Sequence, residues 1–326
     1  MLQKLKKRWE YVLIFCIAVV VIMLMLPNNY YAQLLCNIAT YGIVVTGLDL
    51  CFGYSGQISF GHAAFYCIGS YTAALLSTDL GWNSMLSFVL ATVVSACFGL
   101  MLSYPASKVQ KHFLSLMTIS FGWVVYTFVG AARGLTHGYQ GTNVVPLQCF
   151  GAELRSMQAL FVFALLLLLL TLAMKRNIIN SRVGRAFQAI RLNAYAANGM
   201  GINVRKYKMM AFTLSAALAG MSGALFAFNV RYVNPESFTS TLSTLLMTML
   251  LFGGIRSYAG PIIGAVILIF IQDWLQFLGN AQALVYGVLI IMVLFFMPNG
   301  IAGLAGNVKD FLTRRREGRA QDAEAE

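Results

Sequence analysis

Residues 157–174 read MQALFVFALLLLLLTLAM, a run without a charged side chain. A stretch of about 18 or more such residues is long enough to cross the ~30 Å hydrocarbon core of a bilayer as a helix. Working outward, similar stretches precede it at 9–26, 32–52, 58–77, 85–104 and 113–131. Others follow at 209–230, 238–252, 260–278 and 284–297. The pattern predicts an all-α polytopic membrane protein of about ten transmembrane helices. Composition agrees: 59% of the 326 residues are hydrophobic and 10% charged, with a mean hydropathy of +0.73. Soluble domains carry roughly 25% charged residues, and a single soluble core stops growing beyond ~250–300 residues. An ordinary water-soluble enzyme, a disordered chain and a disulfide scaffold are thereby excluded.

The formal net charge of +12 raises nucleic acid as a partner, but the placement of the basic residues speaks for a lipid bilayer. With the amino terminus in the cytoplasm and ten alternating spans, Lys4, Lys6, Lys7, Arg8, Lys108 and Lys111 fall inside. So do Lys175, Arg176, Arg182, Arg185, Arg191, Arg205, Lys206, Lys208, Arg256 and the tail's Lys309, Arg314, Arg315, Arg316 and Arg319. Of the 23 basic residues only Arg133, Arg155 and Arg231 fall outside, as the positive-inside rule expects of a protein with both termini cytoplasmic. Residues 9–26 rival a signal peptide, yet Pro27-Asn28-Asn29-Tyr30-Tyr31 offers no small-x-small cleavage site.

Four places hold residues that apolar helices do not need. Segment 53–62, GYSGQISFGH, sets three glycines and several polar side chains between two spans. Irregular backbone at membrane depth is tolerated where protein buries it or where it lines a watery cavity, and glycine-interrupted segments point to transport pathways. Gly56, Gln57, Ser59, Gly61 and His62 are the candidate pathway residues, against the plainer reading of a tight turn. A second cluster, GGIRSYAGP (253–261), could mark a duplicated architecture. Asp49 and Asp273 lie near the ends of their spans, where each could reach the interface or a cavity. Loop 175–208 carries SRVGRAFQAIRLNAYAANGMGINVRKYK from Ser181. There Val183, Phe187, Ile190 and Ala194 follow one helix face, Ser181 is placed as an N-cap, and a second short helix (194–198) ends at Gly199 and Gly201. Such a pair reads as a docking knob for another protein, or as a basic helix lying on headgroups.

The six cysteines form no C-x-x-C pair and the three histidines no ligand spacing. No phosphate-binding G-x-x-x-x-G-K-[ST] loop occurs. No cofactor, metal site or catalytic constellation is expected in this chain.

These residues resemble a known family. GYSGQISFGHAAFYCIGSYTAALL (53–76), SRVGRAFQAIRLNAYAANGMGINVRKYKMMAFTLSAALAGMSGAL (181–225), FGGIRSYAGPIIGAV (252–266) and MPNGIAGL (297–304) are similar to permease subunits of bacterial branched-chain amino-acid ABC transporters. The likeness is to the M-type (LivM-like) subunit, covering about 36–304. The resemblance implies one transmembrane permease domain over 1–326 with 175–208 as its cytoplasmic coupling loop and 305–326 as a charged tail. It also implies a multi-pass place in the bacterial inner membrane and three kinds of partner. These are a second, related permease, two cytoplasmic ABC ATPase subunits and a periplasmic substrate-binding protein. By resemblance Gly184, Arg185, Ala186, Arg191, Ala197 and Gly201 are the recurring positions that couple to the ATPase. Many relatives carry an acid near 194–195, where this chain has Ala194-Tyr195. ATP hydrolysis then belongs to the partners, and the implied cargo is a branched-chain (hydrophobic) amino acid. Urea or a short amide carried by the same architecture is the alternative, as is an ion-coupled carrier built on Asp49 or Asp273.

Overall fold

A computed structural model describes residues 29–281, apart from 110, 150, 151, 154 and 155, together with a few single positions as far as 291. The expected span at 9–26, most of that at 284–297, and the tail 305–326 lie outside the described residues. Helix α1 (Asn29–Leu48) runs on into a π-helical turn, Asp49–Tyr54. An irregular stretch, 55–61, leads to α2 (His62–Thr78). Next come α3 (Ser84–Ala106) and α4 (Lys111–Ala131). A loop excursion then holds the single-turn α5 (Arg133–Thr136) and strands β1 (Thr142–Asn143), β2 (Gln148–Cys149) and β3 (Ala152–Glu153).

The chain returns through α6 (Met157–Asn180) into two short helices, α7 (Arg182–Leu192) and α8 (Ala194–Gly199). The long α9 (Val204–Val230) follows, then β4 (Tyr232–Val233), a 3-10 turn (Pro235–Phe238), α10 (Ser240–Gly253) and α11 (Gly260–Trp274). Among the described residues six helices are long and apolar enough to cross a membrane: Tyr30–Tyr54, Ser84–Ala106, Phe113–Ala131, Met157–Asn180, Val204–Val230 and Gly260–Phe277. The chain is thus a multi-pass membrane protein. α2 and α10, with 17 and 14 residues, extend only about 26 and 21 Å at 1.5 Å per residue. Both fall short of the ~30 Å core.

α1 and α9 stand at the centre. Of their most apolar windows 83% and 72% is buried, against 28% for α3 and 22% for α4, whose Phe98, Met101, Leu116 and Val124 point outward. In lipid, burial of apolar surface drives little association, so close backbone approach and interhelical hydrogen bonds carry it. A Cβ on Gly69 of α2 would sit 2.1 Å from the carbonyl oxygen of Gly220 on α9. The helices therefore touch backbone to backbone. Hydroxyls add bonds across the same contacts: Ser70 donates to Gly223 O (2.7 Å), Ser222 to Thr40 O (2.6 Å) and Ser95 to Phe65 O (3.2 Å).

The two ends of the bundle differ. At one, β1 pairs with β4 (Thr142 opposite Val233, Asn143 opposite Tyr232), and Thr78 donates to Asn143 O. At the other lie α7, α8 and the turns after α3 and α10. Lys108, Lys111, Arg176, Arg182, Arg185, Arg191, Arg205, Lys206, Lys208 and Arg256 cluster there, whereas the first end has Arg133 and Arg231.

Several sequence expectations need correction. The span expected at 58–77 starts as a helix only at His62, because the two glycines and the side-chain bonds described below hold 55–61 out of helical geometry. The span expected at 32–52 reaches Tyr54 by its π-turn. The loop expected from 175 opens at Ser181, because α6 continues through Asn180. Ala194 does not extend the buried face of α7; it starts α8 and is half-exposed.

Candidate functional site

Asp49 and Lys175, 126 residues apart, meet at 2.8 Å with both side chains fully buried. The sequence reading placed Asp49 near an interface or cavity and Lys175 in a loop; both stand inside the bundle instead. A buried ion pair needs further hydrogen bonds to offset its desolvation, and here each member has one. The Asp49 Oδ1 accepts the Arg256 backbone N–H at 2.9 Å, and the Lys175 ammonium donates to Ser257 O at 2.9 Å. Tyr54 adds a bond from its hydroxyl to Arg256 O at 3.0 Å. The pair thus ties the π-turn, α6 and the 254–259 turn, so the two glycine clusters read separately in the sequence are in contact. Asp273, the other intramembrane acid, accepts from the Tyr30 hydroxyl.

The π-turn ends where Gly56 takes φ +73°, the left-handed conformation that a glycine C-cap supplies without steric cost. The Gly56 and Gln57 amides donate back to Phe52 O and Cys51 O, both at 3.1 Å. From there 57–61 climbs beside α9. The Gln57 amide donates to Lys208 O (3.0 Å) and to the Ser55 hydroxyl (2.6 Å). Ser59 Oγ lies 3.2 Å from His62 Nδ1, and His62 Nε2 lies 2.6 Å from Ser215 Oγ. All four are buried. The Phe60 amide donates to Thr118 Oγ1 of α4 at 3.1 Å, and Gly61 packs on the Thr118 carbonyl. Of the candidate pathway residues, then, Gln57 and His62 are hydrogen-bonded to α9, and Ser59 to His62. Phe60 and Ala63, which sequence reasoning passed over, face the other way.

They face a cavity of about 20 Å³ shared with Trp123, Tyr126, Thr239, Ser240 and Ser243, room for about one water. The Ala63 amide, in the first turn of α2, donates to Ser243 Oγ at 3.1 Å in the first turn of α10. Two helices too short to span therefore begin at the same depth, one against the other. Helix amino termini carry partial positive charge, and discontinuous helices of this kind build the binding sites of many transporters.

Beneath this junction sits the α7–α8 corner. Ser181 caps α7 as expected, accepting the Val183 amide at 3.1 Å. Asn193 caps α8 by accepting from Tyr195 and Ala196 (3.0 and 3.1 Å), and Asn203 caps α9 by accepting from Lys206 at 3.0 Å. Gly184 fits where a Cβ would lie 2.3 Å from the Ile179 carbonyl oxygen, so α7 folds tightly back on α6. Ala186, Phe187, Ile190 and Ala197 are buried, and Arg185 and Gly201 exposed. Arg191 points inward: its guanidinium donates to Gly53 O, and its Cγ is the nearest atom to where a Gly56 Cβ would be, at 3.0 Å. Sequence reasoning missed the outer surface. Leu192, Tyr195 and Met200 are 86%, 91% and 84% exposed, and the signal available was apolar residues lying off the buried face of an otherwise polar helix.

Comparison with known proteins supplies the identity. Residues 30–297 match the family described as the permease component of branched-chain amino acid transport systems. The chain belongs to this permease family. The high-affinity branched-chain amino acid transport system permease protein LivM of Salmonella typhimurium is 30% identical to the permease over 285 residues. That match covers 80% of the permease and 67% of LivM. LivM of Escherichia coli is 29% identical over the same length. LivH of Escherichia coli is 28% identical over 296 residues, covering 81% of the permease and 92% of LivH. No solved structure matches the permease.

Proposed function

We propose that the permease is the M-type membrane subunit of an ATP-driven importer that carries branched-chain (hydrophobic) amino acids across a bacterial inner membrane. It acts with a second, related permease, two cytoplasmic ATPase subunits and a periplasmic binding protein. The end rich in basic residues faces the cytoplasm, by the positive-inside rule, and residues 181–203 form the coupling loop. Leu192, Tyr195 and Met200 are the apolar anchors that enter the ATPase subunit; exposed clusters of this kind mark protein-binding surfaces. Tyr195 supplies by apolar contact what an acidic residue at that place would supply by charge.

The observation that carries this reading is the bond from Arg191 to Gly53 O. It joins the coupling loop to the carboxyl end of the π-turn, one step before the irregular stretch 55–61 that borders the cavity. Gly56, Gln57, Ser59, Gly61 and His62 form a wall of the path, anchored on α9, with Phe60 turned toward the cargo. Closure of the ATPase pair displaces α7, Arg191 carries the displacement to Gly53, and the wall moves. ATP shifts such an equilibrium only by binding one state better than the other.

Uptake of labelled leucine by cells and ATP hydrolysis by the purified complex test this together. Arg185→Glu is expected to lose the ATPase subunits on purification, and Arg191→Ala to keep them while hydrolysis continues without uptake. Normal uptake by both variants would overturn the assignment. So would wild-type uptake that survives ATP depletion and collapses with an uncoupler.

A further inference from the structure

Two neighbouring cavities lie beside the coupling loop, and the first is bordered by its Tyr195 and Gly201. One of about 750 Å³ lies between α8, the turn after α3 and the start of α9, lined by Lys108, Asn203, Arg205 and Lys208 among others. The second, about 470 Å³, continues along α3 and α9 over Leu100, Met209, Met210 and Leu214. Asn203 and Arg205 line both, so the two form one groove, basic at one end and apolar at the other. Tyr104, a half-exposed aromatic at the carboxyl end of α3, stands beside the basic residues, as Trp and Tyr do at a membrane–water interface. The Arg205 guanidinium lies 4.2 Å from the centre of the Tyr104 ring and the Lys108 ammonium 5.1 Å. The ring orients both cations and neutralises neither.

Among the described residues no carboxylate pairs with either of them. The acidic residues between 29 and 281 are Asp49, Asp79, Glu153, Glu236 and Asp273, and of these only Asp49 lies at this end, buried against Lys175. Among the described residues, then, nothing supplies their countercharge. The apolar half lies one to three turns inside the membrane-crossing α3 and α9, beyond the reach of a water-soluble partner.

We infer that this groove holds an anionic glycerophospholipid of the adjoining leaflet. Its phosphate lies among Lys108, Arg205 and Lys208, and its acyl chains lie along Leu100, Met209, Met210 and Leu214. Basic pockets between membrane helices bind anionic headgroups in this way, and each cation near the surface contributes about fivefold in affinity. Because α8 forms one wall, the bound lipid also supports the coupling loop.

The full chain, purified with its companions in mild detergent, is titrated with phosphatidylglycerol and with phosphatidylcholine, and bound lipid is counted by native mass spectrometry. The wild type is expected to retain phosphatidylglycerol preferentially, and Lys108→Ala/Arg205→Ala to weaken it about 25-fold. The charge-conserving Lys108→Arg/Arg205→Lys should restore binding, which separates the charge from a folding defect. Leu100→Trp, which fills the apolar half, should weaken phosphatidylglycerol while leaving the basic residues untouched. Equal retention of the two lipids would overturn the inference. Inorganic phosphate or glycerol phosphate binding as tightly as the whole lipid would do the same. A third refutation is a Lys108→Ala/Arg205→Ala variant that loses the ATPase subunits but keeps its lipid, since the groove would then be a protein-docking surface.

Discussion

Replacing Lys175 by methionine keeps the length and apolar stem of the side chain and removes only the ammonium. Asp49 is then left fully buried, with the Arg256 amide as its one remaining partner. Breaking a buried ion pair from one side costs about 3–5 kcal/mol. At about 2–4 °C per kcal/mol for chains at the upper end of the calibrated sizes, the loss is about 6–20 °C in thermal unfolding. The double variant Lys175→Met/Asp49→Asn separates charge from packing, because asparagine keeps an Oδ1 for the Arg256 amide. Replacing both members of a buried pair by neutral groups of similar volume is often neutral or better. The double variant should therefore recover most of the loss, with a coupling between the two substitutions above about 2 kcal/mol. Intrinsic fluorescence during heating of the detergent-solubilised protein, all variants at one scan rate, reads this. A Lys175→Met protein within about 2 °C of wild type, or a double variant no better than the single, would refute the buried-pair reasoning.

Two further outcomes follow from the same geometry. Gly56→Val places a β-branched residue at φ +73° and against Arg191; the left-handed conformation alone costs about 1–2 kcal/mol. Uptake per ATP hydrolysed should fall in that variant while the amount of protein in the membrane stays within twofold. Gly69→Val forces carbon onto the Gly220 carbonyl and should lower stability, read as the unfolding temperature, by more than the ~1–3 kcal/mol of ordinary overpacking. Gly122→Val, at a position with open space, is the comparison that should stay within about 0.5 kcal/mol of wild type.

Much of the architecture was legible because lipid leaves an unambiguous trace: runs such as 157–174 have no other explanation in a chain so poor in charge. The break at 53–62 was legible for a related reason, since glycines and amides have no place in a plain apolar span. The start of α2 was not, because Ile58 and Phe60 look helical to hydropathy while their backbone is held by Ser115 and Thr118 of α4. Lys175 misled for the opposite reason. A lysine normally ends a span, and what allows this one to sit inside is a carboxylate 126 residues away, invisible to any local pattern. In the coupling loop the Ser181 cap and the face of Phe187 and Ile190 were readable from spacing, whereas the Asn193 and Asn203 caps were not. The exposed Leu192, Tyr195 and Met200 were not, because periodicity reports which apolar residues a helix hides and is silent on those it displays.

The contact of α2 with α9 at Gly69 and Gly220 has a mechanical consequence. Where two backbones touch with no side chain between them there is no compliant layer, so neither helix can slide along the other without first separating. Together with α3, pinned to the same pair by Ser95, they behave as one stiff lever. A push delivered at the base of that lever arrives at its far end undiminished, as rotation instead of as bending. The give in the machine has to lie elsewhere, in neighbouring segments without a regular hydrogen-bond ladder such as residues 55–61.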